Sequence, residues 1–474
     1  MAVNANRALP QKKFESAFTR RLARHHRLAY FAYPKPFCKA LVAFTVDQLL
    51  VSERAANNPK VADALAAAGA YHAGANVFDD DQSMPTEQIQ VWRLTHTAGH
   101  GKHADVAEAV WKVRPTVVEQ GLEAAEVAPN HVLIPAPNYH DCPWGPPDEG
   151  DEFLLPPREP RELKVAIIDS GYQPMGPIDP LVNASYGWWL QQSVDPATGA
   201  LAYSWQQGSP AAPGVDPLDQ NNDDHLDALV GHANFVAGIV ARLCQFGEIV
   251  VESHNGAFVE GDDDPAIPTE ASVARSLWNQ RDADVIHVGF AFPTLPNIPV
   301  ARSGDPTGPP SWALQVVLDS IPDPHSHFVV APAGNQHCRI PQFPAAFSVS
   351  HDNVIGVGSV DEYGNQSRFS NYGDWVSCCT LGENVVSTFI DGWSGPTEEA
   401  EPPGRPNAGT NPKKTFNGWA SWNGTSFSAP KITGELARLH AAGASLPAAW
   451  NALTAGKPTP ADLKMGYLLD IPMP

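Results

Sequence analysis

The sequence predicts an α/β protein: a parallel sheet with helices on both faces, preceded by a small α+β domain. Three observations carry this. From Leu163 onward, short apolar runs flanked by turn residues alternate with helical stretches, the pattern of buried parallel strands and their crossover helices. Upstream, residues 38–134 hold strand and helix patterns in a different order. Between the two, residues 135–160 carry eight prolines, the composition of a linker.

The first stretch is a basic arm, residues 1–37. It holds eight Lys/Arg against one acid, a local +7 in a chain whose net charge is −21. Phe14, Phe18 and Leu22 fall at helical spacing, so the arm reads as a solvated amphipathic helix. Arg20-Arg21 is not followed by an apolar core, because Arg24, His25, His26 and Arg27 interrupt it. That excludes an ordinary secretory signal and leaves the cytoplasm as the expected compartment, with a lost, atypical or twin-arginine export signal as the alternative.

In the small domain, Lys39–Val46 is a strand candidate and Pro59–Ala70 a helix. Ala75–Phe78 and Gln88–Leu94 are strands, His103–Val113 is a helix, and Val127–Ile134 is the closing strand. The order strand-helix-strand-strand-helix-strand is the ferredoxin-like pattern. The linker 135–160 is expected to be extended, exposed and open to proteolysis.

In the domain from 161 to 474, strands are expected at Val165–Ile168, Ile249–Val251, Val285–Val288, Phe328–Ala331 and Val354–Val357. Helices are expected at Phe235–Leu243, Ser272–Trp278, Trp312–Leu318 and Ser428–His440, and Ser394–Thr415 reads as a long surface loop.

Composition bounds the function. With 43% hydrophobic and 18% charged residues the chain is globular, and about 150 residues per domain makes two or three domains of 474. No apolar run approaches the roughly 20 residues of a membrane helix. The acidic balance argues against a nucleic-acid partner. Six cysteines do not make a disulfide scaffold; Cys378 and Cys379 share a strand and point to opposite faces, so they do not pair.

Four segments carry chemistry. Asp169 ends the apolar run Val165–Ile168, where open α/β sheets place their sites. His232, in Gly231-His-Ala-Asn-Phe-Val-Ala-Gly238, opens a helix and is held as a general base must be. Asn335 emerges from Val330-Ala-Pro-Ala-Gly-Asn335 at a strand's tip, where an amide can donate to an oxyanion. Ser426, in Asn423-Gly-Thr-Ser-Phe-Ser-Ala-Pro430, sits at a helix start whose dipole favours negative charge. Singly, each has a structural reading: a turn Asp, a capping His, a turn Asn, an N-cap Ser. Together they supply acid, base, amide donor and nucleophile in the order Asp, His, Asn, Ser.

That order and the segment Gly424-Thr-Ser-Phe-Ser-Ala-Pro430 resemble the catalytic domain of the subtilisin-like serine proteases, the subtilases. Phe343-Pro-Ala-Ala-Phe347, Asn353-Val-Ile355 and Phe369-Ser-Asn-Tyr-Gly373 resemble the family as well. The resemblance implies Ser426 as nucleophile, His232 as base, Asp169 as its orienter, and Asn335 with the Ser426 N–H as oxyanion hole. It implies that Gly289, Phe290 and Ala291 line the primary pocket opposite Ala333 and Gly334, with Gln342 near its base. His287 in the same strand has no role in the resemblance. Two motifs depart from the family: Ala233-Asn234-Phe235 replaces Gly-Thr-His after the histidine, and Gly289-Phe290-Ala291 replaces a Ser-Leu-Gly type strand.

The small domain resembles the family's propeptides in element order, which implies a folding aid and inhibitor. The expected function is a serine endopeptidase restrained by that domain; a peptide ligase or macrocyclase, or a silent binding module, are the alternatives. The expected partners are a protein or peptide substrate and a regulatory partner. No cofactor is expected. Asp219, Asn221, Asp223 and Asp227 have the close oxygen spacing of a calcium loop, but no turn Gly or distal Glu, and read first as a solvated acidic loop. His96, His100 and His103 straddle a turn without a nearby Cys, which speaks against zinc.

Overall fold

The computed structural model describes residues 28–32, 41–78, 87–95, 106–133, 144–153, 161–170, 224–226, 230–246, 248–253, 268–297, 307–321, 325–397 and 410–473, with positions 85, 155–156, 159, 172 and 323. The arm's Phe14, Phe18 and Leu22, the four acidic-loop residues and the three spaced histidines lie outside them, as do Cys38 and Cys142. Among the described residues, no helix is long and apolar enough to cross a membrane.

The small domain has the expected order. Strand β2 (Leu41–Ser52) leads through helices α1 (Glu53–Asn57) and α2 (Pro59–Ala67) to β3 (Ala70–Asn76) and β4 (Ile89–Leu94). Helix α3 (Val106–Glu119) and strand β5 (Val127–Val132) complete it. β5 and β4 pair with opposite edges of β2, and β3 pairs with β4, giving the spatial order β5-β2-β4-β3. Asn58 caps α2 by accepting from Lys60 and Val61 N–H groups, with Pro59 at the first helical position. One strand was not expected: β1 (Leu28–Ala32), inside the basic arm, pairs antiparallel with Leu41–Thr45.

The larger domain is built on a seven-stranded, wholly parallel sheet. Its strands are β7 (Lys164–Asp169), β8 (Glu248–Ser253), β9 (Val285–Val288), β10 (Phe328–Pro332), β11 (Val354–Val360), β12 (Cys378–Leu381) and β15 (Tyr467–Leu468), in the order β15-β12-β11-β10-β9-β7-β8. Alternate strand residues enter different cores. Val165, Ile167, Val285 and Val330 pack with helices α4 (His232–Leu243) and α7 (Thr425–Ala441). Ala166, Ile168, Ile286 and Val329 pack with α5 (Glu270–Asn279) and α6 (Trp312–Ser320) on the other face. Cys378 and Cys379 divide the same way and are both free thiols. Helix α8 (Leu446–Thr454) packs against α7.

Two expectations are corrected. The loop Ser394–Thr415 is shorter than expected at both ends: β13 (Val385–Pro396) and β14 (Lys413–Trp422) form a long antiparallel hairpin. β14 alternates buried and exposed residues, with Phe416, Ala420 and Trp422 inward, so cross-strand packing overrides the turn-rich composition. The linker is not exposed throughout. Its residues Asp148–Glu149 form strand β6 on the hairpin, opposite Ser421 and Ala420. Asp148 pairs with Lys414 at 2.7 Å, the Phe153 ring lies 4.4 Å from that of Trp419, and Leu155 is buried.

The small domain lies on α5 and α6. Val132 bridges Thr269, the Leu133 N–H donates to Pro268 O, and Arg114 donates to the carbonyls of Leu295 and Pro296. His131 is buried at the centre. Its Nε2 accepts from the Leu295 N–H at 3.0 Å, so Nδ1 carries the proton and donates to Glu270 at 2.5 Å. Both residues are at most 1% exposed, and removing one partner leaves the other buried and unsatisfied, at about 1–3 kcal/mol and more for the carboxylate.

Candidate active site

Asp169 is the last residue of β7 and fully buried. Its Oδ1 accepts from the Ser170 N–H at 2.6 Å and from His232 Nδ1 at 2.7 Å. Burial pushes the Asp169 carboxyl up, but the His232 charge, its hydrogen bond and the Ser170 N–H outweigh burial and hold it below the usual carboxylate range. With Nδ1 committed to Asp169, Nε2 is the ring nitrogen left for base work. It is buried and has no hydrogen-bond partner.

His232 is the first residue of α4 because Gly231 turns the chain there at φ 76°, where a Cβ would lie 2.4 Å from the Phe389 ring. Its ring sits among aromatics, 5.5 Å from Phe427 and 6.1 Å from Trp422 between centroids. Phe235, part of the departure from the family's histidine motif, stacks 4.4 Å from Phe427 and 5.9 Å from Trp422. This wall keeps the imidazole in a dry, low-dielectric setting, where its charge interactions are strong.

Asn335 follows the tip of β10. Its Oδ1 accepts from the Thr425 N–H and the Thr425 hydroxyl, both at 2.9 Å. The backbone N–H can only donate, so the oxygen must face Thr425 and Nδ2 must face away. Nδ2 is buried and unpartnered, so it is aimed and available to donate. Thr425 also accepts from the Gly334 N–H at 3.0 Å, tying strand tip to helix start. Sequence reasoning assigned Thr425 no role; its place directly before Ser426 was the available signal. Asn371 was likewise unassigned. It accepts from the Gln336 and Cys338 N–H groups and donates to Ala333 O, clamping the loop that presents Asn335.

Ser426 is the second residue of α7 and fully buried, one position before Phe427, whose ring faces His232. Thus Asp169 and His232 are joined directly, and Asn335 and Ser426 meet through Thr425. Gly289 follows β9 and donates its N–H to Ile168 O at 2.8 Å. Phe292 and Phe343 exchange both backbone hydrogen bonds, joining the stretch Gly289-Phe290-Ala291 to the segment after Ala333 and Gly334. Gln342 Cγ lies 3.4 Å from where a Cβ on Gly334 would stand, and its Nε2 donates to Ile340 O. Among the described residues no group of three His, Cys, Asp or Glu side chains is placed to hold a metal.

An acid–imidazole pair, a hydroxyl at a helix start and an aimed amide, all at the carboxyl end of a parallel sheet, make a site suited to acyl transfer. The subtilase family model matches residues 161–455, and the chain belongs to that family. It is 34% identical over 115 residues to the thermophilic serine proteinase of Bacillus sp. (strain AK1), covering 24% of this chain and 21% of that protein. It is 26% identical over 211 residues to subtilisin DY of Bacillus licheniformis, covering 44% of this chain and 62% of that protein. A solved cold-adapted subtilisin-like serine proteinase aligns at a TM-score of 0.39 and 16% identity, over 66% of this chain and 89% of that one. The matches thus span less than two thirds of the curated relatives' lengths.

Proposed function

We propose that this protein is a serine endopeptidase that hydrolyses peptide bonds, restrained by its own N-terminal domain. The observation that carries the reading is the buried Asp169–His232 bond through Nδ1, which leaves Nε2 as the base beside the helix start that bears Ser426. Ser426 Oγ attacks the scissile carbonyl while His232 Nε2 takes its proton. Asp169 stabilises the resulting imidazolium. The oxyanion is held by Asn335 Nδ2 and the Ser426 N–H. His232 then protonates the leaving amine, and water repeats the sequence on the acyl-enzyme. The substrate chain lies along Gly289, Phe290 and Ala291, opposite Ala333 and Gly334.

The test is digestion of a peptide mixture with product masses. Addition of water at internal bonds is the expected result; joined or cyclised products would instead identify an amine as the acyl acceptor. Asn335→Ala is expected to lower kcat roughly 10²–10³-fold, the range that loss of one oxyanion donor carries, with KM little changed. An unchanged kcat would remove Asn335 from the site.

The restraint rests on two anchors. Leu133 is hydrogen-bonded to Pro268, and eleven residues later the linker is held beside the nucleophile. The Trp144 N–H donates to Asn423 O and the Trp422 indole donates to Gly145 O, each at 2.7 Å. Asp169, His232, Asn335 and Ser426 are all at most 2% exposed. A tethered segment acts at about millimolar effective concentration. The full chain is therefore expected to be nearly inactive. A cut between residues 134 and 143 should leave it so while the N-terminal piece stays docked. Removing that piece should raise peptide hydrolysis at least about tenfold. Equal rates in the intact, cut and separated samples would reduce the domain to a folding aid.

A further inference from the structure

His287 lies in the middle of β9 and is completely buried, yet the proposed chemistry gives it nothing to do. It pairs in register with Ile167 of β7, two residues before Asp169. Ile167 and Asp169 share a face, and His287 faces the same side, because its Nδ1 lies 3.3 Å from the Thr433 hydroxyl on α7. The imidazole is thus one layer beneath Asp169, between the sheet and the helix that bears Ser426.

Two buried polar atoms on this face have no partner: Asp169 Oδ2 and His287 Nε2. Their needs complement each other in one tautomer. The Thr433 hydroxyl lies 3.3 Å from both Ala429 O and His287 Nδ1. If it donates to Ala429, Nδ1 must carry the imidazole proton. Nε2 is then a bare lone pair, and two buried acceptors share a face with no donor between them. If it donates to Nδ1, the proton sits on Nε2, and the face holds one donor and one acceptor. Leaving both unpaired would be costly, the carboxylate oxygen above all. Oδ2 packs directly over Gly289, where a Cβ would stand only 2.0 Å from it, so a side chain at 289 would displace the carboxylate. Gly289 is two residues beyond His287 on the same side of the strand.

We propose that His287 is a positioning residue for the catalytic acid: its Nε2–H reaches Asp169 Oδ2 through one bridging water, since neither atom has a protein partner, and holds the carboxylate in line with His232. This rests on the peptidase reading above. A neutral ring is what the role needs. Burial pushes the His287 imidazole down to about 4, with the Asp169 carboxylate opposing and His232 reinforcing that shift. Asp169 and His232 are the charged groups that act on it. A donor on Oδ2 withdraws charge from the carboxylate. Its loss leaves more of that charge for the His232 imidazolium, so the base stays protonated to higher pH.

The test uses the preparation, whether intact, linker-cut or cut and separated from its N-terminal piece, in which wild-type protein hydrolyses peptide. His287→Leu is expected to lower kcat about 10–100-fold at unchanged KM, and to move the acid limb of kcat/KM to higher pH. His287→Gln, whose amide reaches where Nε2 stands, is expected to restore both. His287→Asn, which reaches only as far as Nδ1, is expected to restore neither. Imidazole nitrogen shifts in the wild-type protein should report the Nε2–H tautomer. A Leu variant with the wild-type pH profile, an Asn variant as active as the Gln variant, or an Nδ1–H tautomer would overturn the proposal while leaving the peptidase reading intact. A wild-type protein inactive in every preparation would overturn that reading, and this proposal with it.

Discussion

Ser426→Ala is expected to abolish peptide hydrolysis, lowering kcat on the order of 10⁶-fold while the protein folds as before. The change deletes one oxygen at the second position of α7. Thr425, which is unchanged, makes the contacts to Gly334 and Asn335 that join helix to strand tip. The surrounding Phe427, Phe235 and Trp422 rings also remain packed. The thermal midpoint should therefore stay within a few degrees of wild type, as for a substitution that opens no sizeable cavity. Residual catalysis from the oxyanion donors and substrate binding would remain. A purified variant that cleaves peptides at the wild-type rate would remove Ser426 from the reaction.

Asp169→Asn carries the next largest effect, a fall in kcat of roughly 10³–10⁴-fold at similar KM. The carboxylate's Oδ1 already accepts two bonds, from Ser170 N–H and His232 Nδ1. An asparagine must keep its oxygen there or set an NH₂ against the Ser170 N–H. In the first case the histidine tautomer survives but the charge that stabilises the imidazolium is gone. In the second the base also turns to the wrong tautomer. Steady-state rates on one peptide substrate decide the matter, and a variant within tenfold of wild type would show that Asp169 does not support His232.

The parallel sheet was legible because its strands are buried on both sides. Runs such as Val165–Ile168 and Val354–Val357 announce themselves without any knowledge of their partners. Helices α4 and α7 were legible from the apolar spacing after His232 and Ser426. The hairpin was not. β14 owes its form to Trp422 and Phe416 packing on Phe389, which no local pattern in Lys413–Trp422 reveals. The linker misled for the same reason, since Asp148 and Trp144 find partners more than 260 residues away. At the site, the motifs named Asp169, His232, Asn335 and Ser426, but not what aims them. Thr425 and Asn371 act through hydrogen bonds to residues far off in sequence, and His287 is visible only once β9 is laid beside β7.

The central claim is that Ser426 is a nucleophile activated by His232. Labelling with a fluorophosphonate probe, followed by mapping of the modified peptide, tests it most directly. The probe needs no knowledge of the natural substrate, and it reports a covalent bond at one residue. The account predicts one label per chain, on Ser426, in protein freed of its N-terminal domain, and none in Ser426→Ala or after His232→Ala. A label on any other residue, or no label on Ser426 in the freed protein, would contradict it.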